Sequence, residues 1–212
     1  MRKLALSDEI LLNIEKPARY IGNEVNSVMK DKREVDIRFA MCFPDVYEIG
    51  MSHLDKIMRE KQIPLFALES QDPVREFDFL GITLQYEMCY TNVLQILDLS
   101  QIPVYASERG EDCPIVMGGG PCSYNPEPLA PFFDLFYIGE GETVFSDLLD
   151  LYKEHRKNGG TRRDFLLKAA AVPGIYAPGF YEPAYHADGT LSSFTPTEKG
   201  VPETIRKQVV MD

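Results

Sequence analysis

Three consecutive glycines, Gly118, Gly119 and Gly120, lie between a short apolar run and Pro121 in the segment PIVMGGGPCSYNPEP. Glycine has no Cβ atom, so such a run lets another group approach the backbone closely. That group is either a ligand laid against the chain or a neighbouring helix. The chain lacks GxGxxG and GxxxxGKS/T, which disfavours an ordinary nucleotide-binding domain. The glycines instead suit a flat or bulky ligand.

Three other unusual segments also follow predicted strands, and they read FPDVYEIGMSHL, QYEMCYTN and GEGE. In an open parallel sheet, ligands bind beyond the carboxyl ends of the strands. Parallel strands would bring all four segments to one edge of the sheet, which we call the carboxyl edge. The sequence therefore predicts a binding site at this edge.

Other reactive side chains are scattered along the chain. The cysteines are widely spaced and form no CxxC pair, so neither a zinc ribbon nor a redox motif is indicated. The histidines are His53, His155 and His186, and His155 is expected to be solvated on its helix. No Ser-His-Asp or paired-carboxylate arrangement can be argued from these positions, so no catalytic residue and no metal ligand is assigned.

Composition narrows the class of protein. With 212 residues, 44% of them hydrophobic, the chain can bury the core of one domain with appendages. Its net charge of −11 disfavours a general nucleic-acid or anionic-membrane binder, because phosphate groups need a positive surface. No stretch is long and apolar enough to span a bilayer. The N-terminus is interpreted as a mature cytoplasmic start.

Periodicity predicts strands that alternate with helices. The predicted strands cover residues 35–43, 64–70, 77–86, 102–107 (as an edge strand), 113–118 and 134–139. The predicted helices cover residues 6–14, 91–100, 143–159 and 161–171. This alternation favours an α/β fold with an open, mostly parallel sheet.

The pattern changes after about residue 160. Residues 181–196 look like a hairpin with Asp188 and Gly189 at its turn. We therefore predict three parts: an N-terminal helical arm (1–34), an α/β domain (35–160), and a short helix, hairpin and linker (161–212).

The segments PIVMGGGPCSYNPEP, DLFYIGEGE and FDFLGITLQYEMCYTNVL resemble the cobalamin-binding domain that precedes the catalytic core in many radical S-adenosylmethionine (SAM) proteins. EKPARYIGNEVNSVMKD resembles the start of one uncharacterised bacterial family of radical SAM proteins with such a domain. The resemblance covers essentially the whole chain. It implies a flavodoxin-like (Rossmann-like) parallel sheet of about five strands.

Three departures from the family pattern bear on what the resemblance implies. Cobalamin domains with a lower histidine ligand carry DxHxxG after the first strand, and here Tyr47 stands in the place of histidine between Asp45 and Gly50. The CxxxCxxC run that holds a [4Fe–4S] cluster is absent from this sequence. The first crossover is expected to lack its helix, as if residues were missing between Leu54 and Asp55.

The resemblance implies an accessory domain that places a corrinoid against the core of a radical SAM Fe–S enzyme without being catalytic itself. The alternative is a vestigial scaffold or interaction domain of the same protein that binds no cobalamin. The missing histidine favours the scaffold, and the retained triple glycine favours the corrinoid. The candidate cofactor contacts are Asp45, Tyr47, Gly50, Thr83, Gln85, Tyr86, Gly118, Gly119, Gly120, Pro121, Gly139 and Glu140.

The same resemblance implies the cofactors and the partner. Cobalamin would bind base-off, without a histidine ligand from the protein. In the full-length protein, a [4Fe–4S] cluster and SAM would be held by the radical SAM core of the same chain, which lies outside this sequence. The sequence is taken as the N-terminal portion of such a protein, in the cytoplasm.

Overall fold

The computed structural model of the chain describes residues 7–12, 34–44 and 51–211. Its α-helices are α1 (Asp8–Leu12), α2 (Met51–Lys61), α3 (Tyr90–Leu99), α4 (Phe145–Asn158) and α5 (Arg162–Ala169). Its strands are β1 (Phe39–Cys42), β2 (Phe79–Thr83), β3 (Ile115–Gly119), β4 (Leu135–Tyr137), β5 (Ile175–Tyr176), β6 (Tyr181–Tyr185) and β7 (Leu191–Pro196). Among these residues, no helix has the length and apolar character needed to cross a bilayer.

Strands β1 to β5 form one sheet in the order β1-β2-β3-β4-β5. Strand β1 pairs in parallel with β2, with Phe39 opposite Phe79, and β3 pairs in parallel with β4, with Met117 opposite Leu135. Strand β5 runs antiparallel to β4, and β6 and β7 form a separate antiparallel hairpin. The predicted α/β fold with a mostly parallel sheet of about five strands is confirmed. The fifth strand lies in a segment that was predicted to be a linker.

Two predicted strands are wrong. Residues 64–70 form no strand of the sheet, and Phe66 makes only an isolated antiparallel bridge with Pro73. Residues 102–107 are not an edge strand, because the chain there leads into the 3-10 turn Ala106–Glu108. Short apolar runs do not reveal by themselves whether a strand partner is available, which is why both predictions failed.

The prediction that the first crossover lacks a helix is also wrong. Helix α2 occupies it, and Leu54 and Met58 are buried in a cluster with Leu99 of α3. The remaining side chains of α2 are largely polar and charged, so the apolar pattern that would predict a helix here depends on few residues. Helices α4 and α5 lie within the ranges predicted for them, and α3 begins at Tyr90, one residue before its predicted range.

The described residues divide into two compact units, one of residues 1–104 and 112–115 and the other of residues 105–111 and 116–212. In the first unit, β2 is almost wholly buried, and the Phe79 ring stacks on Phe39 with centroids 5.4 Å apart. In the second unit, all of β4 is buried. There Phe136 packs against Phe133, with centroids 4.7 Å apart. Each unit thus has its own apolar core.

A buried ion cluster holds the start of β4 in the second unit. One carboxylate oxygen of Asp134 accepts hydrogen bonds from Arg109 at 2.9 Å, Arg162 at 2.8 Å and the Val116 backbone N–H at 2.7 Å. The side chains of Arg109 and Asp134 are 0% and 2% exposed. Such a cluster joins β3, β4 and α5 at the amino ends of the strands, away from the carboxyl edge.

The expectation that His155 is solvated is wrong. His155 is buried at the end of α4, beside the Phe165 ring of α5 at 5.7 Å between centroids. Gly160 closes over it, since a Cβ atom there would lie 2.5 Å from the imidazole Cε1 atom. The helical periodicity placed His155 among charged neighbours, and the turn back into α5 covers it.

The predicted hairpin is confirmed. Strands β6 and β7 meet at a turn in which Gly189 has a φ of +84° and the Asp188 carboxylate accepts from the Thr190 N–H at 3.0 Å. The positive φ and the hydrogen bond both depend on residues of the turn alone. The Asp-Gly pair therefore predicts the turn without information from the rest of the fold.

Candidate functional site

In the first unit, the carboxyl edge is formed by Thr83 at the end of β2 and by the residues that follow it. The Thr83 hydroxyl donates to the Cys42 carbonyl at 3.4 Å, which joins the ends of two paired strands. Gln85 is exposed and Tyr86 is half-buried. The predicted contacts Thr83, Gln85 and Tyr86 therefore lie together at one strand end.

A side-chain hydrogen bond holds the start of the loop that follows β1. Asn92 of α3 donates its side-chain amide to the Pro44 carbonyl at 2.9 Å. The predicted contacts Asp45, Tyr47 and Gly50 follow Pro44 and lie outside the described residues. Sequence reasoning missed Asn92, because it reads as an ordinary polar position near the start of an amphipathic helix.

In the second unit, Gly118 is required by packing. A Cβ atom on Gly118 would lie 2.6 Å from Cδ1 of Phe136 and 3.2 Å from Cε1 of Phe133. Both rings are buried, so neither has room to move aside. The first of the three glycines therefore makes room for core side chains of β4 and the residues before it, and not for the neighbouring helix that the sequence suggested as the alternative to a ligand.

The next two glycines differ from the first. Gly120 has a φ of +95°, which favours glycine, and it precedes Pro121 at the start of the 3-10 turn Pro121–Tyr124. Gly119 is half-buried and has no positive φ, and a Cβ atom on it would meet nothing within 4 Å. Neither backbone conformation nor packing among the described residues requires glycine at position 119.

A buried serine fixes the glycine turn to the end of β4. The Ser123 hydroxyl lies 2.6 Å from the Gly120 carbonyl oxygen and 3.1 Å from the Tyr137 carbonyl oxygen. It can donate to either, so the turn and the strand end are tied together. The only local signal for this role is the spacing of three residues from Gly120, which is common to many turns.

Gly139 and Glu140 contact the C-terminal part of the chain. Gly139 has a φ of +122°, and a Cβ atom there would lie 2.2 Å from the Gln208 carbonyl oxygen. The Glu140 N–H donates to that carbonyl at 3.0 Å, and the Glu140 carboxylate accepts from the Val210 N–H at 2.6 Å. Protein backbone therefore accounts for the glycine at position 139. Contact of Gly139 and Glu140 with a cofactor stays a prediction.

The cysteines of the described residues do not form a cluster. Cys89 is buried, and its thiol donates to the Tyr86 carbonyl at 2.9 Å. No group of three or more His, Cys, Asp or Glu side chains in the described part of the chain is arranged to hold a metal ion. A [4Fe–4S] cluster needs several thiolates close together, so the donors described here do not fit one.

We expect Cys42 to be unreactive towards alkylation. Although the residue keeps some exposure, burial around its sulfur raises the pKa of the thiol to about 12. Because the thiolate is the reacting form, iodoacetamide at pH 8 should modify Cys42 at least ~100-fold more slowly in the folded chain than in urea. Peptide mass spectrometry measures both rates. Equal rates would show that the thiol is accessible and ionises normally.

One family of known proteins matches most of this chain. The family model described as radical SAM proteins, N-terminal, matches residues 45–178, well over half of the chain. An uncharacterized protein of Methanocaldococcus jannaschii is 34% identical over 114 residues, which cover 49% of this chain and 24% of that protein. The chain thus matches about a quarter of the length of this curated relative. No solved structure matches the chain.

Proposed function

We propose, because this chain belongs to the family of N-terminal regions of radical SAM proteins, that it is an accessory domain that places a corrinoid at its carboxyl edge. The corrinoid would bind base-off, without a histidine ligand from the protein. A radical SAM core in the longer protein would hold the [4Fe–4S] cluster and SAM. This domain would bind and orient a cofactor and would not itself perform the chemistry.

The observation that carries the proposal is Gly119. A half-buried glycine at a strand end, with open space where its Cβ would be, leaves backbone bare for a close approach from outside the described chain. Because parallel sheets bind ligands beyond the carboxyl ends of their strands, this is the expected place for one. A corrin ring is broad and flat, so it suits such a bare backbone surface.

The residues present fit a corrinoid held by its faces and edges. Gly119 and Gly120 of the second unit would contact it, with the half-buried Gly119 backbone and the exposed Gly120 at the end of β3. When bound, a corrinoid supplies a cobalt centre that can carry a methyl group. Tyr47 in place of histidine supports the base-off form, since a phenol with a pKa near 10 is a poor neutral-pH ligand for cobalt.

A second candidate, a scaffold that binds no cobalamin, is favoured by two other glycines. Gly118 is accounted for by Phe136, and Gly139 is accounted for by Gln208. If the same held for every glycine of the edge, the segments would need no ligand. The two candidates therefore differ on whether Gly119 contacts a ligand.

We expect the purified chain to retain hydroxocobalamin through gel filtration, with a base-off absorbance spectrum and a dissociation constant on the order of micromolar. Gly119→Leu should weaken binding by at least ~tenfold, because the side chain would fill the space that the ligand uses. Gly179→Leu is the matched control, since Gly179 also has open space around its Cβ position but lies in the separate turn Pro178–Phe180.

Two outcomes would contradict the corrinoid proposal. If no colour co-elutes at high cobalamin, the scaffold interpretation replaces it for this chain. If Gly119→Leu and Gly179→Leu bind equally well, the glycine turn is not the contact. Circular dichroism of both variants shows whether a lost signal reflects binding or folding.

A further inference from the structure

The C-terminal residues 206–210 lie along the loop that follows β4. The Gln208 N–H donates to the Ile138 carbonyl at 3.0 Å, and the Gln208 carbonyl accepts from the Glu140 N–H at 3.0 Å. Gly139 and Gln208 thereby form a parallel bridge. The Glu140 carboxylate adds a third bond by accepting from the Val210 N–H at 2.6 Å. The segment is therefore hydrogen-bonded to this loop at Gln208 and again two residues later at Val210.

Two glycines are shaped for this contact. A Cβ atom on Gly139 would lie 2.2 Å from the Gln208 carbonyl oxygen, and one on Gly174 would lie 2.6 Å from Cγ of Gln208. Both glycines have a positive φ, +122° and +78°. The backbone on both sides of Gln208 is thus built for its close approach.

The same segment reaches the turn after β3. The Lys207 ammonium lies 5.0 Å from the centroid of the Tyr124 ring, within the range of a cation–π contact. Tyr124 ends the 3-10 turn that follows the glycines. Residues 206–210 therefore lie along the end of β4, and the Lys207 side chain reaches the turn that follows β3.

We propose that residues 206–210 are a strap docked on the carboxyl edge, and that Glu140 is the positioning residue that holds it there. The strap occupies the Ile138–Glu140 end of the edge and leaves the Gly119 end open. Resting on the proposed function, the strap would border the cofactor bound at the Gly119 end.

The test is amide hydrogen exchange, followed residue by residue by NMR, in the chain without any ligand. Glu140→Ala should accelerate exchange at Val210 by about five- to tenfold, because a hydrogen bond to a charged acceptor is lost. Exchange at Gln208 should accelerate with it. The Gln208 N–H donates to Ile138 and not to residue 140, so only release of the whole segment would affect it.

Three variants complete the design. Glu140→Gln keeps an acceptor oxygen and should restore most of the protection, and Glu142→Ala, an exposed carboxylate of the same loop, should change nothing. Val210→Pro removes the donor and should reproduce the release at Gln208. Combining Glu140→Ala with Val210→Pro should add nothing further, because both remove one bond.

Acceleration at Val210 alone, with Gln208 unchanged from the Glu142→Ala control, would mean that Glu140 caps a single amide, and the strap proposal would be wrong. The same holds if Glu140→Ala leaves both amides protected. None of these outcomes depends on cobalamin. A chain that fails to bind cobalamin but shows coupled release therefore loses the proposed function and keeps the strap.

Discussion

Replacing Asp134 by leucine is expected to lower the free energy of unfolding by about 3–5 kcal/mol, because it leaves buried cations without their carboxylate. Arg109 has no exposed side-chain surface, and Arg162 is only 9% exposed, so water cannot replace the lost partner. The Val116 N–H loses its acceptor as well. Urea unfolding followed by circular dichroism measures the change. A loss of this size is a large fraction of the stability of a typical domain.

Asp150→Ala is the matched control for this prediction. Asp150 also pairs with a cation, Lys153 at 3.1 Å, but the two side chains are 72% and 37% exposed. Exposed pairs contribute little, so we expect a change below ~1 kcal/mol. Similar losses of unfolding free energy in Asp134→Leu and Asp150→Ala would show that burial is not the reason why the ion cluster stabilises the fold.

Gly118→Ala and Gly119→Ala are expected to differ sharply although the two residues are adjacent. The methyl group at position 118 would overlap the Phe136 ring at 2.6 Å, and we expect a loss of about 1–3 kcal/mol from overpacking. The methyl group at position 119 would enter open space, and we expect a change within ~0.5 kcal/mol. The same urea titration measures both variants.

These two variants test whether Gly118 is required by core packing while Gly119 is not. Combining Gly118→Ala with Phe136→Leu, which gives up the ring that the methyl group meets, should cost less than the sum of the single changes. Full additivity would mean that Gly118 is not in contact with Phe136. A large loss in Gly119→Ala would mean that position 119 is required by the fold, which would remove the observation on which the corrinoid proposal rests.

The two sets of changes affect opposite ends of the same strands. The ion cluster acts where β3 and β4 begin, and the Asp134 N–H also donates to the Val116 carbonyl at 3.0 Å. The glycine turn and the strap act where these strands end.

Some features could be predicted from the sequence because the forces that form them are local. Helical spacing of apolar residues predicts α3 and α4, since the repeat of a helix is set by its own backbone. The Asp188-Gly189 pair predicts the hairpin turn for the same reason. The short run at 64–70 was assigned wrongly because strand formation depends on a partner that the run itself does not reveal.

The sequence by itself determined the α/β class, the hairpin and the position of the glycines at a strand end. Only the tertiary structure decided what each glycine does, because the deciding neighbours lie far along the chain. Gly118 is explained by Phe136, and Gly139 by Gln208. The carboxylate of Glu140 and the amide of Val210 are 70 positions apart. Side chains and backbone brought together over such distances leave no periodic signal, so only their packing in the fold reveals them.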